Sequence, residues 1–531
     1  MQEDSSEIHS LEPKYFFGLT TGLSNNCLFL NDEKLVYHAS GVIVIHDYSN
    51  NSQKFVYLNE PQKVITTMDI NNNKNILAVA EKGKKPSISL YDLDKYKHIR
   101  QLTIPYESKA NSFIKIKFSY DDVYVAALSG DPDYIMYYYN WRQSKVESHL
   151  QVVTSANAAG PVSDMALNPV NSGLCCFVGR GLFRSMAMGE LVWKQYGFHK
   201  ANKFNFTTVC WLSSERVLAG TIDGRLFLIE NGELKSVYNI QTLSEFDPNV
   251  ICPNPLHVRP LSDGRDVKIQ YFTPVKNGLM FVVNGYQIYY YKMKANRYRQ
   301  SIVFNVPRDS ERQVNFGEGG GDADGNSNGD TDDGDGGDGR GSDAINTLSI
   351  SPKNKRLVCV TGTSRLYWSS MEGKSGMMDV ELEPFSEMLH RGGVYGLSVS
   401  DWKPIFMTCG KIDRTVKLWD YMRRTLLLSQ CYDEDVHDVS LHPTGSYAIV
   451  AFQDRVVFNV IYDSMELKPR REFAAANCHL VRFSLSGHMF AVVNDLVVDI
   501  YCSVTFDKRF TLTGHKNEFI EAWLKNLKTQ E

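Results

Sequence analysis

The feature that most constrains how this chain folds is a unit of about three short strands that returns ten times along it. Each copy runs an apolar strand, a polar turn, a second apolar strand, another turn, and a third strand that often closes on an aromatic residue and an acid. It reads VITTMDINNNKNILAVAEKGKKPSISLYD over 64–92, FIKIKFSYDDVYVAALSGDPDYIMYYYNW over 113–141 and VSDMALNPVNSGLCCFVGRGLFRSM over 162–186. It continues at 207–230, 267–291, 346–370, 394–420, 436–460 and 480–501, and a looser copy occupies 25–48. Turns fall on NNNKN, SYDD, NPVNSG, SPKNK, HPTG and SLSG, the residue types that reverse a chain at little conformational expense. Strands of five to seven residues rich in Val, Ile, Tyr and Phe exclude a helical repeat.

A small antiparallel sheet with two apolar faces cannot bury both alone. Stacking such sheets around an axis buries both, so the expected fold is all-β, a β-propeller with WD40-type blades. Ten copies exceed the four to eight blades of one ordinary ring. The expected organisation is a disordered N-terminus at 1–14, one seven-bladed ring over 15–385, a partial second propeller of about three blades over 386–513, and a tail at 514–531. The closing TLTGHKNEFIEAW reads as the opening of a further copy. A three-blade arc has two raw edges, so the isolated chain is expected to aggregate or stay partly unfolded beyond about residue 385 unless a partner covers them.

Composition adds boundaries. A net charge of −4 gives no reason to expect nucleic acid as the main partner. The average hides one block, GEGGGDADGNSNGDTDDGDGGDGRGSD, in which eight Asp and Glu318 face one base, Arg340. With eleven Gly and almost no apolar residue, this insert (314–343 with its flank) is expected to be a disordered loop. Asp324, Asn326, Asn328, Gly329 and Asp335 match positions of an EF-hand loop. The twelfth position is Asp rather than Glu, Thr331 stands where an apolar residue belongs, and no helices flank it, so no calcium site is expected. The ten Cys show no CxxC pairs, and adjacent Cys175 and Cys176 suit neither a bridge nor a tetrahedral site. The opening MQEDSSEIHS is not a signal peptide, and no apolar run approaches membrane-spanning length. These features predict a reduced, intracellular chain with no cofactor, metal or membrane contact.

Two groups of residues stand out. In the copy over 390–420, His390, Thr408, Asp413 and Trp419 have the spacing of a WD structural tetrad, in which a buried carboxylate, an imidazole, a hydroxyl and an indole link in series. A His–Asp pair beside a hydroxyl also has the parts of a catalytic triad, but this arrangement reads as a brace that locks a sheet. Other copies keep fragments, such as Tyr91-Asp92, Asp223-Gly224 and Gly514-His515. The second group lies in YQIYYYKMKANRYR, where Tyr289, Tyr291, Lys292, Lys294, Arg297 and Arg299 would form a basic, aromatic surface for an acidic partner such as a tubulin tail. The competing reading is an aromatic third strand followed by a polar turn. No P-loop, GxGxxG, HExxH or GxSxG motif is present, and no catalytic residue is assigned.

The ordered run HRGGVYGLSVSDWKPIFMTCGKIDRTVKLWDY, DVHDVSLHPTGSYAIVAFQDRVVFNVI, SGHMFAVVNDLVVDIY and LTGHKNEFIEAW, with GLTTGLSNNCLFLNDEKLVYHASGVIVIHDY near the start, resembles the cilia- and flagella-associated protein 57 family of tandem WD-repeat proteins. The resemblance covers essentially the whole chain. It implies a non-enzymatic axonemal scaffold of cilium or flagellum cytoskeleton that helps dock and regulate inner dynein arms on doublet microtubules. Implied partners are axonemal proteins, including the dynein arm, the tubulin doublet, and a WD-repeat or coiled-coil protein covering the open blades. The alternative is a WD-repeat substrate receptor of a cytosolic cullin ubiquitin ligase. Such receptors tend to carry a basic residue two places after Trp-Asp, where this chain has Met422, with Arg423 one place late.

Overall fold

The structure, a computed structural model, describes residues 13–513 apart from 21–22, 24, 106–107, 154–160, 198–200, 202, 253–254, 256–257, 259–266, 308–343, 364, 375, 386–388, 391–392, 411 and 463–465. The Gly/Asp-rich insert with its EF-hand match, the N-terminal 1–12 and the tail from 514 lie outside the described residues.

The chain is all-β and divides into two compact units, Met1–Ser386 and Glu387–Glu531. Among the described residues its strands form ten sheets, and each has a core of four strands that follow one another in the chain as antiparallel neighbours. The second sheet is representative: Ile65–Ile70, Ile76–Glu81, Ser87–Asp92 and Lys97–Thr103 pair in that order. The turn between first and second strands ends on a left-handed residue in several sheets, namely Lys74, Asp122, Asn354, Gly445 and Gly487. Gly is suited to that conformation, because a side chain there is strained.

Alternation along a strand sends neighbouring residues to two different junctions. On Ile76–Glu81, Leu77 and Val79 pack towards the first sheet with Val36, Ile43 and Met68. Ile76, Ala78 and Ala80 pack towards the third sheet with Phe113, Ile116, Val125 and Tyr137. This is why the strands read as nearly continuous apolar runs. Each fully buried Val, Leu, Ile or Phe side chain contributes about 1.5–3 kcal/mol, so the core is spread over the junctions between sheets rather than gathered in one place.

Polar side chains on the first strand of one sheet also stitch it to the next. Asp69 accepts the Phe118 amide at 2.9 Å and the Lys117 ammonium at 2.8 Å. Asp164 accepts the Val209 amide at 3.2 Å and the Thr208 hydroxyl at 2.9 Å. In the second unit Ser398 accepts the Leu441 amide at 2.8 Å, and Ser440 and Asp438 accept the Phe483 and Val481 amides at 3.0 and 2.9 Å. The seventh sheet (Ile345–Ile350 onward) meets the first in the same way. Thr347 Oγ1 and Ser349 Oγ accept the Asn26 and Phe29 amides at 3.2 and 3.3 Å. Arg356 lies over the Tyr48 ring, and Phe385 packs edge-on against His46 and Tyr48.

One connection leaves the simple order. After the third strand of the seventh sheet, Met378–Glu381 pairs in parallel with Arg297–Asn305 of the sixth sheet, and Glu383–Pro384 then returns as the fourth strand of the seventh.

In the second unit the first strand of its first sheet, Val394–Val399, is unusual. Val394, Leu397 and Val399 are each more than half exposed, whereas Val436, Val439 and Leu441, at the same positions in the following sheet, are buried.

His38 on Lys34–Ala39 is buried with neither ring nitrogen hydrogen-bonded, and burial pulls its pKa down from 6.5 to about 4. The unfolded chain therefore takes up this proton first. Its contribution to stability is full above about pH 6.5 and drains as pH falls towards about 4. Over that window the wild type is expected to lose about 3 kcal/mol more than a His38→Leu variant. Urea midpoints measured from pH 7 to pH 4 check this; parallel pH curves for the two proteins would contradict it.

Candidate functional site

The structure gathers the four tetrad residues from two strands and two loops of one sheet. His390 precedes Val394–Val399, Thr408 lies on Ile405–Gly410, Asp413 sits in the turn that follows, and Trp419 lies on Thr415–Asp420. His390 Nδ1 is 3.0 Å from Asp413 Oδ2, His390 Nε2 is 2.7 Å from Thr408 Oγ1, and the Trp419 indole donates to Thr408 Oγ1 at 2.9 Å. With a neutral imidazole the bonds run in series. The indole has only a proton to give, so Thr408 accepts it and donates its own proton to His390 Nε2. Nδ1–H then donates to the Asp413 carboxylate. Asp413 also accepts the Thr415 hydroxyl at 2.7 Å. The His390 and Asp413 side chains are each only 5% exposed.

Gly410 makes the close approach possible. A Cβ there would lie 2.2 Å from Asp413 Oδ1 and 2.8 Å from His390 Nδ1. Thr408 is itself buried and bonded on both sides, so its oxygen is not presented to any substrate. What the arrangement does chemically is hold the turn at Asp413 against two strands, as a fully satisfied buried network does.

The second candidate group is divided by the structure. Tyr291 is fully buried, donating its hydroxyl to the Leu243 carbonyl at 2.6 Å and stacking on Phe281 at 5.5 Å. Tyr289 is half-buried against the same Phe281 ring. Tyr291 is thereby closed off from any open aromatic surface, while Tyr289 keeps part of its ring accessible. Lys292, Lys294, Arg297 and Arg299 are exposed. Arg297 pairs with Glu245 and Asp247 at 3.3 Å, and Arg299 pairs with Glu245 at 2.7 Å. The strand Glu245–Phe246, which carries the first of these acids and is followed directly by the second, joins the sheet edge beside them. The stretch Tyr134–Trp141 is likewise interior, with Tyr137, Tyr138, Tyr139 and Trp141 all buried.

A third set was not marked by motif. Trp402, Tyr421, Met422, Tyr462, Leu485 and Val504 sit in turns of the three sheets of the second unit, and all are exposed. The only sequence signal was apolar residues inside turn segments such as SDWKP and DYMRR, where polar residues are usual. Among the described residues, no cluster of three or more His, Cys, Asp or Glu side chains could hold a metal ion. No described helix is long and apolar enough to cross a membrane. Burial pushes the pKa of Cys176 up to about 12 and that of its neighbour Cys175 well above the usual thiol value, so both are inert.

Comparison with known proteins adds to this geometry. The family described as "WD domain, G-beta repeat" matches residues 385–420, the sheet that holds the tetrad. The chain is 24% identical to mouse cilia- and flagella-associated protein 57 over 94% of its own length and 40% of the mouse protein. It is 20% identical to cilia- and flagella-associated protein 57 A of Tetrahymena thermophila, with the same shares of each chain covered. Echinoderm microtubule-associated protein-like 4 of Xenopus laevis is 18% identical over 88% of this chain and 45% of that protein. The chain thus spans less than half the length of these relatives. The chain carries a WD repeat and is similar, along nearly all of its length, to cilia- and flagella-associated protein 57.

Proposed function

We propose that this chain is a non-enzymatic scaffold of the ciliary or flagellar axoneme, helping to dock or regulate inner dynein arms on doublet microtubules. Residues 15–385 act as one seven-bladed ring, and 386–513 supply three blades of a second propeller whose tetrad His390, Thr408, Asp413 and Trp419 is a structural brace. The observation that carries the reading is similarity to cilia- and flagella-associated proteins that runs across 94% of the chain rather than through one generic repeat. A relative named as microtubule-associated supports a cytoskeletal setting. The contact between the seventh and first sheets supports ring closure in the first unit. Sheets that spend their apolar faces on each other leave turns and edges for partners, which suits holding rather than catalysis.

Fractionation tests the proposal. The tagged chain is expected to remain with axonemes through a high-salt wash and to co-purify with inner-arm dynein after extraction. A chain found in the cytosol with a cullin adaptor would replace this reading with that of a ubiquitin-ligase receptor.

A further inference from the structure

The strands of each sheet run antiparallel in chain order, so the turn joining strands one and two and the turn joining strands three and four lie at the same end of the sheet. In the second unit these turns are also tied to one another. Ser400 Oγ and the amides of Asp401 and Trp402 all donate to the Pro443 carbonyl at 2.7–3.2 Å, and His442 Nε2 meets the Gly487 carbonyl at 3.2 Å. Within each sheet the two turns are joined by the bonds Tyr421 N to Pro404 O, Ile461 N to Ser446 O and Ser503 N to His488 O, at 2.8–3.0 Å. The result is one continuous end surface.

That surface carries six exposed apolar side chains. Trp402 is 77% exposed, Met422 72% and Val504 79%, with Leu485, Tyr462 and Tyr421 between 43% and 54%. Single exposed hydrophobic residues are ordinary, but six of them in hydrogen-bonded turns at one end, with Trp, Tyr and Met among them and Arg beside them, have the composition of a protein interface. The corresponding turns of the first unit carry mostly polar residues, as in Asn72-Asn73-Lys74, Ser213-Ser214-Glu215 and Pro352-Lys353-Asn354, with Tyr120 exposed in one sheet and Val170, Leu191 and Val192 exposed at this end of the next. The charge beside Trp402 and Met422 is positive. The Arg423 side chain is 80% exposed, with the Asp420 carboxylate 3.8 Å away. Lys403 is exposed beside it, against one exposed acid, Asp401. Asp420 accepts the Met422 and Arg423 amides at 2.9 and 2.8 Å, which fixes the turn and projects Met422 outward before any partner arrives.

We infer that this end of the second unit is a docking surface for a partner polypeptide segment that combines apolar side chains with carboxylates. Trp402 and Met422 are its anchors, and Arg423 and Lys403 select the acidic partner. The inference deepens the scaffold reading above and rests on it.

The test uses the full chain and two labelled synthetic amphipathic peptides with the same Leu/Phe face, one with Glu and one with Lys on the opposite face, followed by fluorescence anisotropy. The Glu peptide is expected to bind about tenfold more tightly than the Lys peptide, with affinity falling as salt is raised. Joint Trp402→Ser and Met422→Ser substitution, or joint Lys403→Glu and Arg423→Glu substitution, is expected to weaken the Glu peptide about tenfold. Val170→Ser with Leu191→Ser in the first unit serves as the control and should change binding less than about twofold. Thermal melts show that each variant folds. Equal binding of the two peptides, or binding indifferent to Trp402 and Met422, overturns the proposal. So does sedimentation with phosphatidylserine vesicles that depends on the same residues, which would assign the surface to lipid. Wild type that stays with salt-washed axonemes but binds neither peptide would remove this inference alone; wild type absent from axonemes would remove the scaffold reading.

Discussion

Replacing Asp413 by alanine is expected to destabilise the second unit by about 2–6 kcal/mol, since it removes the shared acceptor of two buried donors. The substitution leaves His390 Nδ1–H and the Thr415 hydroxyl without their acceptor, in a place where both groups of the His–Asp pair are nearly closed to water. Each orphaned buried donor costs about 1–3 kcal/mol. Asp413→Asn keeps one oxygen in place and should recover part of the loss. Urea unfolding followed by limited proteolysis of 387–513 reads the effect. A midpoint for Asp413→Ala indistinguishable from wild type would mean that the network adds nothing to the stability of the sheet.

The second large effect belongs to Phe281, which has no solvent exposure and stacks between Tyr289 and Tyr291 while meeting Phe272 edge-on. Phe281→Ala should cost about 3–5 kcal/mol, because the junction between the fifth and sixth sheets is closed on both sides and can collapse only partly around the cavity. Lys292→Ala and Lys294→Ala, one strand away but exposed, should stay within about 0.5 kcal/mol of wild type. Chemical denaturation of the three variants separates the two accounts of this segment. If the lysine variants proved the more damaging, the segment would owe its structure to charge rather than to ring packing.

The inner three strands of each sheet were legible because their residues face two apolar junctions and their turns carry Asn, Asp, Gly and Pro. The outermost strands were not. Lys97–Thr103, with sequence KHIRQLT, is exposed over its first four residues, so hydrophobic alternation is nearly absent where the sheet meets water. The parallel excursion Met378–Glu381 was equally hidden, since MDVE carries two acids in four residues and pairs along an edge that only the assembled sixth sheet provides. In the candidate sites, the tetrad spacing follows from strand length and was readable in one dimension. The Tyr-rich stretches were harder to read, because a phenol suits either a surface or a core in which its hydroxyl has a partner. Tyr138 and Tyr139 donate to the Ser172 and Thr103 carbonyls at 2.7 and 3.1 Å, partners more than thirty residues away in the chain. The exposed Trp402 and Met422 escaped notice because a turn composition says where the chain reverses, not what lies uncovered around it.

The meeting of the seventh sheet with the first involves no exchanged strand among the described residues; each of the two is built wholly from its own stretch of chain. The first unit is in that respect like a belt whose buckle is two hydroxyls, a guanidinium laid on a ring and a phenylalanine. The buckle can slip without any sheet unravelling. Amide hydrogens at Asn26 and Phe29 are therefore the ones whose exchange reports loosening of the belt, well ahead of the strands on either side.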